Sequence, residues 1–233
     1  MNETSGGATH LARRLYGRSK GKALRAGQTR LLQELLPRLT LDLSAPCPSP
    51  QSLFPTSVEE VFLEIGFGGG EHLVAAAAAR PDVGFIGCEP FVNGMAKLLA
   101  RIDAQGLANI RLHQGDAAEV LRFLPPASLG RVFLFYPDPW PKRRHRKRRF
   151  VSKETLAELA RVMTPGAQLR FATDIDDYAG WALARIRQAA DLAWEAETSA
   201  DWLTPWEGWT RTKYEAKAMA AGRKPVYLTF VKR

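Results

Sequence analysis

From Val58 onward the chain alternates between short apolar runs and amphipathic segments. "VEEVFLEIG", "VGFIGCE", "NIRLHQGD", "RVFLFYPD" and "AQLRFATD" each read as a strand and each precedes a helical pattern. The helices are "GGEHLVAAAAARP", "PFVNGMAKLLARIDAQG" with Gly106 as its stop, "AAEVLRFLPP", "SKETLAELARVMTPG" with Ser152 as its N-cap, and "IDDYAGWALARIRQAA". "AWEAET" and "VYLTFVKR" close as two further strands. Units of this kind bury their apolar faces as a mostly parallel sheet with helices on both faces. The expected fold is therefore α/β and Rossmann-like, with a seven-stranded sheet.

The first 57 residues break that pattern. "ATHLARRLYGRSKGKALRAGQ" is a basic, Gly-punctuated arm, "TRLLQELLPRL" has helical spacing, and "SAPCPSPQSLFP" reads as a Pro/Ser linker. The expected organisation is an arm and linker over 1–57 and one domain over 58–233.

Ligands of open α/β sheets sit beyond the carboxyl ends of the strands. Five strands end there at an acid: Glu64, Glu89, Asp116, Asp138 and Asp174. Turns favour Asp, but five acids on one edge repel each other unless a cation or hydrogen-bond donors balance them. "LEIGFGGGEHL" is a strand-to-helix glycine turn, in which Gly66 and Gly68 let a ligand approach the backbone. A dinucleotide turn wants a small residue where Glu71 stands. Glu64, two residues before the first glycine, opposes a pyrophosphate but suits an ammonium group. Glu89, 23 residues beyond Gly66, is placed for ribose hydroxyls, and Asp116 for an adenine amino group. S-adenosylmethionine, a sulfonium attached to adenosine, answers these charges better than NAD.

The net charge of +9 is not spread evenly. "KRRHRKRR" (Lys142–Arg149) carries seven cations, and Leu11–Arg30 carries seven more with no acid. Apart from those two segments, 19 basic residues face 24 acidic ones. That is the pattern expected of a localised polyanion-binding face. The Ala-rich "LVAAAAA" is far short of the roughly 20 apolar residues that span a bilayer, and no signal-peptide core is evident, so a cytoplasmic protein is expected. Two cysteines, Cys47 and Cys88, lack metal-ligand spacing and read as structural thiols; no metal is expected.

"LEIGFGGGEHL", "GCEPF", "GDA", "FYPDPWPKRRHRKRR", "ATD" and "TRTKYEAKA", in that order, resemble the bacterial tRNA (guanine-N7-)-methyltransferases. The resemblance runs from about Leu11 onward. "DPWPKRRHRKRR" followed by "TKYE" is its most specific part. It implies a class I methyltransferase fold and methylation of guanine N7 in tRNA, at position 46 of the variable loop. It implies cofactor contacts from Glu64, Gly66, Gly68, Glu89, Asp116 and Asp138. Substrate contacts fall to Lys142, Asp174, Thr212, Lys213, Tyr214 and Glu215. Arg143, Arg144, Arg146, Lys147, Arg148 and Arg149 would meet RNA phosphates. The family often has a second lysine where Arg143 stands, a change of donor geometry at constant charge.

Guanine N7 carries a free lone pair at neutral pH, so no proton need leave before methyl transfer. None of the scattered His10, His72, His113 and His145 is expected to act as a base. Asp138 is the expected catalytic residue, favouring the cationic product or holding the guanine amino edge. Thr212 and Glu215 also stand in capping-box spacing. Trp202, Trp206 and Trp209 are expected to pack under the neighbouring loop, with stacking on RNA as the alternative. The expected partner is tRNA, with the protein a monomer or homodimer. A nucleotide-dependent dehydrogenase fits the glycines but not Glu64, Glu71 or the cations. A bare RNA-binding module fits the cations but not the acids, and a methyltransferase for proteins or small molecules leaves the basic run idle.

Overall fold

The computed structural model describes residues 16, 19 and 21–233. Most of the basic arm, including His10, Arg13, Arg14, Arg18 and Lys20, lies outside them. In chain order the elements are α1 (Ala26–Glu34), α2 (Leu36–Leu39), β1 (Glu60–Ile65), α3 (Glu71–Ala79), β2 (Val83–Cys88), α4 (Val92–Gln105), β3 (Ile110–His113), α5 (Ala117–Phe123) and β4 (Leu129–Phe135). There follow α6 (Lys153–Val162), β5 (Met163–Thr173), α7 (Asp176–Ile186), β6 (Leu192–Trp194), α8 (Ala200–Leu203), α9 (Lys213–Ala220) and β7 (Val226–Lys232).

The seven strands form one sheet in the order β3-β2-β1-β4-β5-β7-β6. β1 to β5 pair in parallel; β7 inserts antiparallel beside β5, and β6 pairs antiparallel with β7. The two faces follow from the period-2 alternation of side chains. Val61, Leu63 and Ile65 point to a layer completed by α5, α6 and α7 through Val120, Leu121, Leu156, Leu159 and Ala182. Phe62 points the other way, into a layer with Leu73 of α3 and Met95, Leu98 and Leu99 of α4. Its ring meets those of Phe85 and Phe133 edge-on, at 5.6 and 6.0 Å.

Two local expectations shift. The helix read through Gly166 stops at Val162, and Met163 already begins β5, whose pairing with β4 shifts register between Leu129 and Arg131. The stretch read as a Pro/Ser linker is packed rather than free. Pro50–Leu53 is a turn of 3-10 helix, Phe54 is buried against Gly84, and Leu41 N–H donates to the Leu112 carbonyl at the β3 edge. α1 buries Leu31 in the layer built around α4. Among the described residues no helix is long and apolar enough to cross a membrane.

Candidate active site

The glycine turn between β1 and α3 is left-handed at three points, with φ of 73° at Gly66, 59° at Gly68 and 75° at Gly70. Side-chain-free residues adopt that region at little steric cost. A Cβ on Gly66 would meet nothing within 4 Å, so its bare backbone faces open space. Gly66 and Gly68 line a cavity of about 550 Å³ at the carboxyl ends of the strands. Its walls also carry Glu89, Phe91, Asp116, Asp138, Trp140 and Tyr214.

Glu89, directly after β2, is buried at 7% exposure. It accepts the Gly68 N–H at 2.7 Å through one oxygen and the Phe91 N–H at 3.0 Å through the other. Burial pushes its carboxyl above the ordinary range, the two N–H bonds pull it back, and the charges of Asp138 and Glu64 add to the rise. Asp116 caps α5, accepting the Ala118 N–H at 3.0 Å. Asp138 makes no hydrogen bond or ion pair among the described residues, and the surrounding protein pushes its carboxyl up as well.

The backbone around Asp138 is strained. Tyr136 and Trp140 hold φ of 49° and 41°, a region non-glycine residues rarely occupy. The alternating Pro137, Pro139 and Pro141 restrict the same stretch.

The strand-end acids do not share one partner. Glu64 and Asp174 stand at the same sheet edge but do not line the cavity. Glu64, 2% exposed, is bonded to His72 Nδ1 at 2.6 Å. The His72 ring packs edge-on against Phe133 and Phe135, at 4.7 and 4.9 Å, and beside Trp209 at 5.5 Å. Asp174 is paired with Arg223, and the N-cap position of α7 is Ile175.

In "TRTKYE" the two halves diverge. Thr212 is the N-cap of α9, accepting the Glu215 N–H at 3.1 Å. Lys213 and Tyr214 are exposed, and the Tyr214 ring lies over Gly68, whose added Cβ would sit 2.9 Å from it. Burial and the charges of Glu89, Asp138 and Glu71 raise the Tyr214 phenol. Glu215, expected at the substrate, is 1% exposed instead. Its oxygens accept the Trp209 Nε1–H at 2.7 Å and the Tyr227 hydroxyl at 2.5 Å. Trp206 donates to Thr229 Oγ1 at 2.8 Å and packs on Phe135 and Tyr227. Trp202 is half-buried in the other layer. The indoles of Trp206 and Trp209 therefore support the loop, as expected.

The basic run is a 3-10 segment, Arg143–Arg148. Lys142, Arg143, Arg144 and Lys147 are exposed. Arg148 faces the cavity, its guanidinium over Tyr16 at 4.4 Å and Trp140 at 4.9 Å. Arg149 departs from the expectation of a phosphate contact. It is 1% exposed, donates to the Pro139 carbonyl at 2.7 Å, pairs with Asp177, and stacks on Tyr178 and Trp181. It ties the proline-rich turn to α7, and its guanidinium is spent on that task. Arg146 also pairs with Asp177, at 2.6 Å.

Sequence reading missed two residues. His72 gave no signal, because its partner lies across a strand end and a glycine turn. Gly94, inside α4, had one: an isolated glycine in a helical pattern usually has a packing reason. A Cβ there would stand 2.3 Å from the Gly68 carbonyl oxygen.

The donor set fits a cationic adenosine-bearing cofactor. Three carboxylates and the open backbone of Gly66 line the cavity, with Arg148 the one Lys or Arg on its wall among the described residues. The sheet order and this cleft define a class I methyltransferase. Residues 58–228 match the methyltransferase family Methyltransf_4. A 16S rRNA methyltransferase, KamB, has the same fold, with a TM-score of 0.55 at 19% identity over 76% of this chain and 88% of that one. So does a precorrin-6y C5,15-methyltransferase from Geobacter metallireducens GS-15, with a TM-score of 0.51 at 14% identity over 78% and 86%.

Two sequence relatives narrow the class. The tRNA (guanine-N(7)-)-methyltransferase of Rhizobium meliloti strain 1021 is 53% identical over 231 residues, 99% of both chains. That of Rhodopseudomonas palustris strain BisB18 is 55% identical over 219 residues, 94% of this chain and 87% of the relative. The chain belongs to the tRNA (guanine-N7-)-methyltransferase family.

Proposed function

We propose that this protein methylates guanine N7 in tRNA, using S-adenosylmethionine, at the guanosine in position 46 of the variable loop. One observation carries the reading: an acid-lined cleft includes Trp140 in its wall, and a run of exposed cations begins two residues further along the chain. S-adenosylmethionine supplies an electrophilic methyl group on a positive sulfur. Guanine N7 would take that methyl with its own lone pair as the sulfur–methyl bond breaks and neutral S-adenosylhomocysteine leaves, so the protein's work is orientation and charge placement rather than proton removal.

Glu89 has already accepted two backbone N–H groups, and an ionised carboxylate offers about four acceptor sites. Two remain for ribose hydroxyls. Asp116 meets the adenine amino edge, and Gly66 and Gly68 let the cofactor lie against bare backbone. Glu64 acts from outside the cavity wall, its orientation fixed by the hydrogen bond with His72. Asp138 borders the methyl group and favours the positive charge that develops on the base. Lys142, Asp174, Thr212, Lys213 and Tyr214 hold the guanosine, with Tyr214 closing over the glycine turn. Arg143, Arg144 and Lys147 meet RNA phosphates, which position the substrate without reading sequence.

The test is methyl transfer to unmodified tRNA with the modified base mapped, for the wild type and Asp138→Ala. Product N7-methylguanosine at position 46, lost in the variant, is expected. Methylation of another atom or an undiminished variant overturns the reading.

A further inference from the structure

A second hollow, of about 960 Å³, lies on the far side of the basic segment from the cofactor cleft. Residues 140–150 divide between the two: Trp140, Arg148 and Phe150 line the cleft, whereas Arg143, Arg146, Lys147 and Arg149 line the hollow. Its other walls come from elements outside any motif discussed above. Lys153 stands in the first turn of α6, and Trp181 and Arg185 stand on α7. The acids there are Glu154 and Asp191.

Arg146 and Arg149 are spoken for by Asp177. Arg143, Lys147 and Lys153 form no ion pair among the described residues, and all three are exposed. The Arg185 guanidinium carbon lies over the Trp181 indole, 3.2 Å from the ring centroid. Stacking fixes the plane of the guanidinium, so less freedom is lost when its edge meets an anion. Four cations from three separate elements thus converge on one hollow.

We infer that this hollow is a second tRNA-binding groove, holding the sugar-phosphate backbone of the tRNA body while the target base enters the cleft across the ridge. The inference rests on the methyltransferase reading and extends it to α6 and α7. RNA is favoured over an acidic protein because the groove is continuous with the segment flanking the cleft, and a backbone entering the cleft must leave over that ridge.

The test is equilibrium binding of unmodified tRNA to the full chain, over a salt series, for the wild type, Lys153→Glu, and Lys153→Glu with Arg185→Gln. Calorimetric binding of S-adenosylmethionine is the control. The double variant should bind tRNA about tenfold more weakly, with the cofactor affinity retained. Its log–log salt slope should be shallower by roughly 0.7–0.9 for each phosphate no longer neutralised. Should Arg185→Gln fail to fold, Lys153→Glu decides alone: an exposed first-turn cation opposes the helix dipole, so an acid there favours the helix. Folded variants with wild-type tRNA affinity and salt slope overturn the groove. That result leaves methyl transfer standing, whereas a wild type that binds tRNA without methylating N7 removes the reading and leaves the groove.

Discussion

At the scale of single residues, chemically identical cations do different work. Arg149 and Arg144 are five apart in one basic run, yet one is buried and the other exposed. Arg149→Ala should lower stability by about 3 kcal/mol, the lower end of what breaking a buried pair costs, because Asp177 stays partly in water. A urea melt checks it. Arg144→Ala should leave the melt unchanged and weaken tRNA binding. Asp138 carries the opposite tension. Its pKa is raised, so the folded state binds a proton more readily than the unfolded chain, and stability falls as pH rises from the ordinary aspartate value of 3.8 upward. Asp138→Asn should therefore raise Tm at neutral pH, with the gain vanishing in acid, while methyl transfer drops about 100-fold or more. A variant with lower Tm at neutral pH refutes the burial argument. The sequence made the position of Asp138 legible, since it follows the apolar run of β4 and stands between prolines. It could not separate Arg149 from its neighbours, because the partners that bury it, Asp177, Tyr178 and Trp181, belong to a helix almost thirty residues later.

At the scale of elements, the cofactor site depends on how closely α4 approaches the glycine turn. Gly94 allows the Gly68 carbonyl to lie where a side chain would stand. Gly94→Ala should improve helix propensity by about 1 kcal/mol. The clash is with backbone, which yields little, so overpacking of roughly 1–3 kcal/mol should win. Lower Tm and weaker S-adenosylmethionine binding by calorimetry are expected; a stabilised variant with intact affinity would remove Gly94 from the site. The five parallel strands were readable because Gly, Pro or Asp follows each apolar run within a few residues. The α6–β5 junction was not, since Met163 follows Val162 with no break in the apolar pattern, and it is pairing with β4 that turns the chain into strand. α9 shows half of its expected capping box: Thr212 caps, but Glu215 turns inward to Trp209 and Tyr227. Period and spacing locate such a residue without saying which way its carboxylate faces.

At the scale of the molecule, charge is divided by a ridge. The cofactor cleft is lined by three carboxylates and one arginine, and the hollow by six Lys or Arg and two acids, so the two ligands should respond differently to ionic strength. Affinity for tRNA should fall on a log–log salt plot with a slope of roughly −0.7 to −0.9 per neutralised phosphate. Affinity for S-adenosylmethionine should change far less over the same range. A tRNA affinity indifferent to salt would exclude the ridge as a phosphate contact. The parallel part of the sheet was legible from alternation, and the basic run from its charge, but not the insertion of β7 between β5 and β6. The packing of residues 26–57 against β2, β3 and α4 was not, because proline and serine mark irregular backbone whether or not it is buried.

The place of β7 has a consequence for biosynthesis. It is translated after β6 yet lies between β5 and β6, so the ribosome delivers the sheet out of order. From the moment Thr173 is made until Val226 follows, the long β5 edge has no neighbour on that side, and β6 has nothing to pair with. At about 5–20 residues per second that interval lasts about 3–10 s. Unpaired edges template wrong pairings, so the nascent chain meets its greatest risk of aggregation late in translation, after every strand-end acid is already in place.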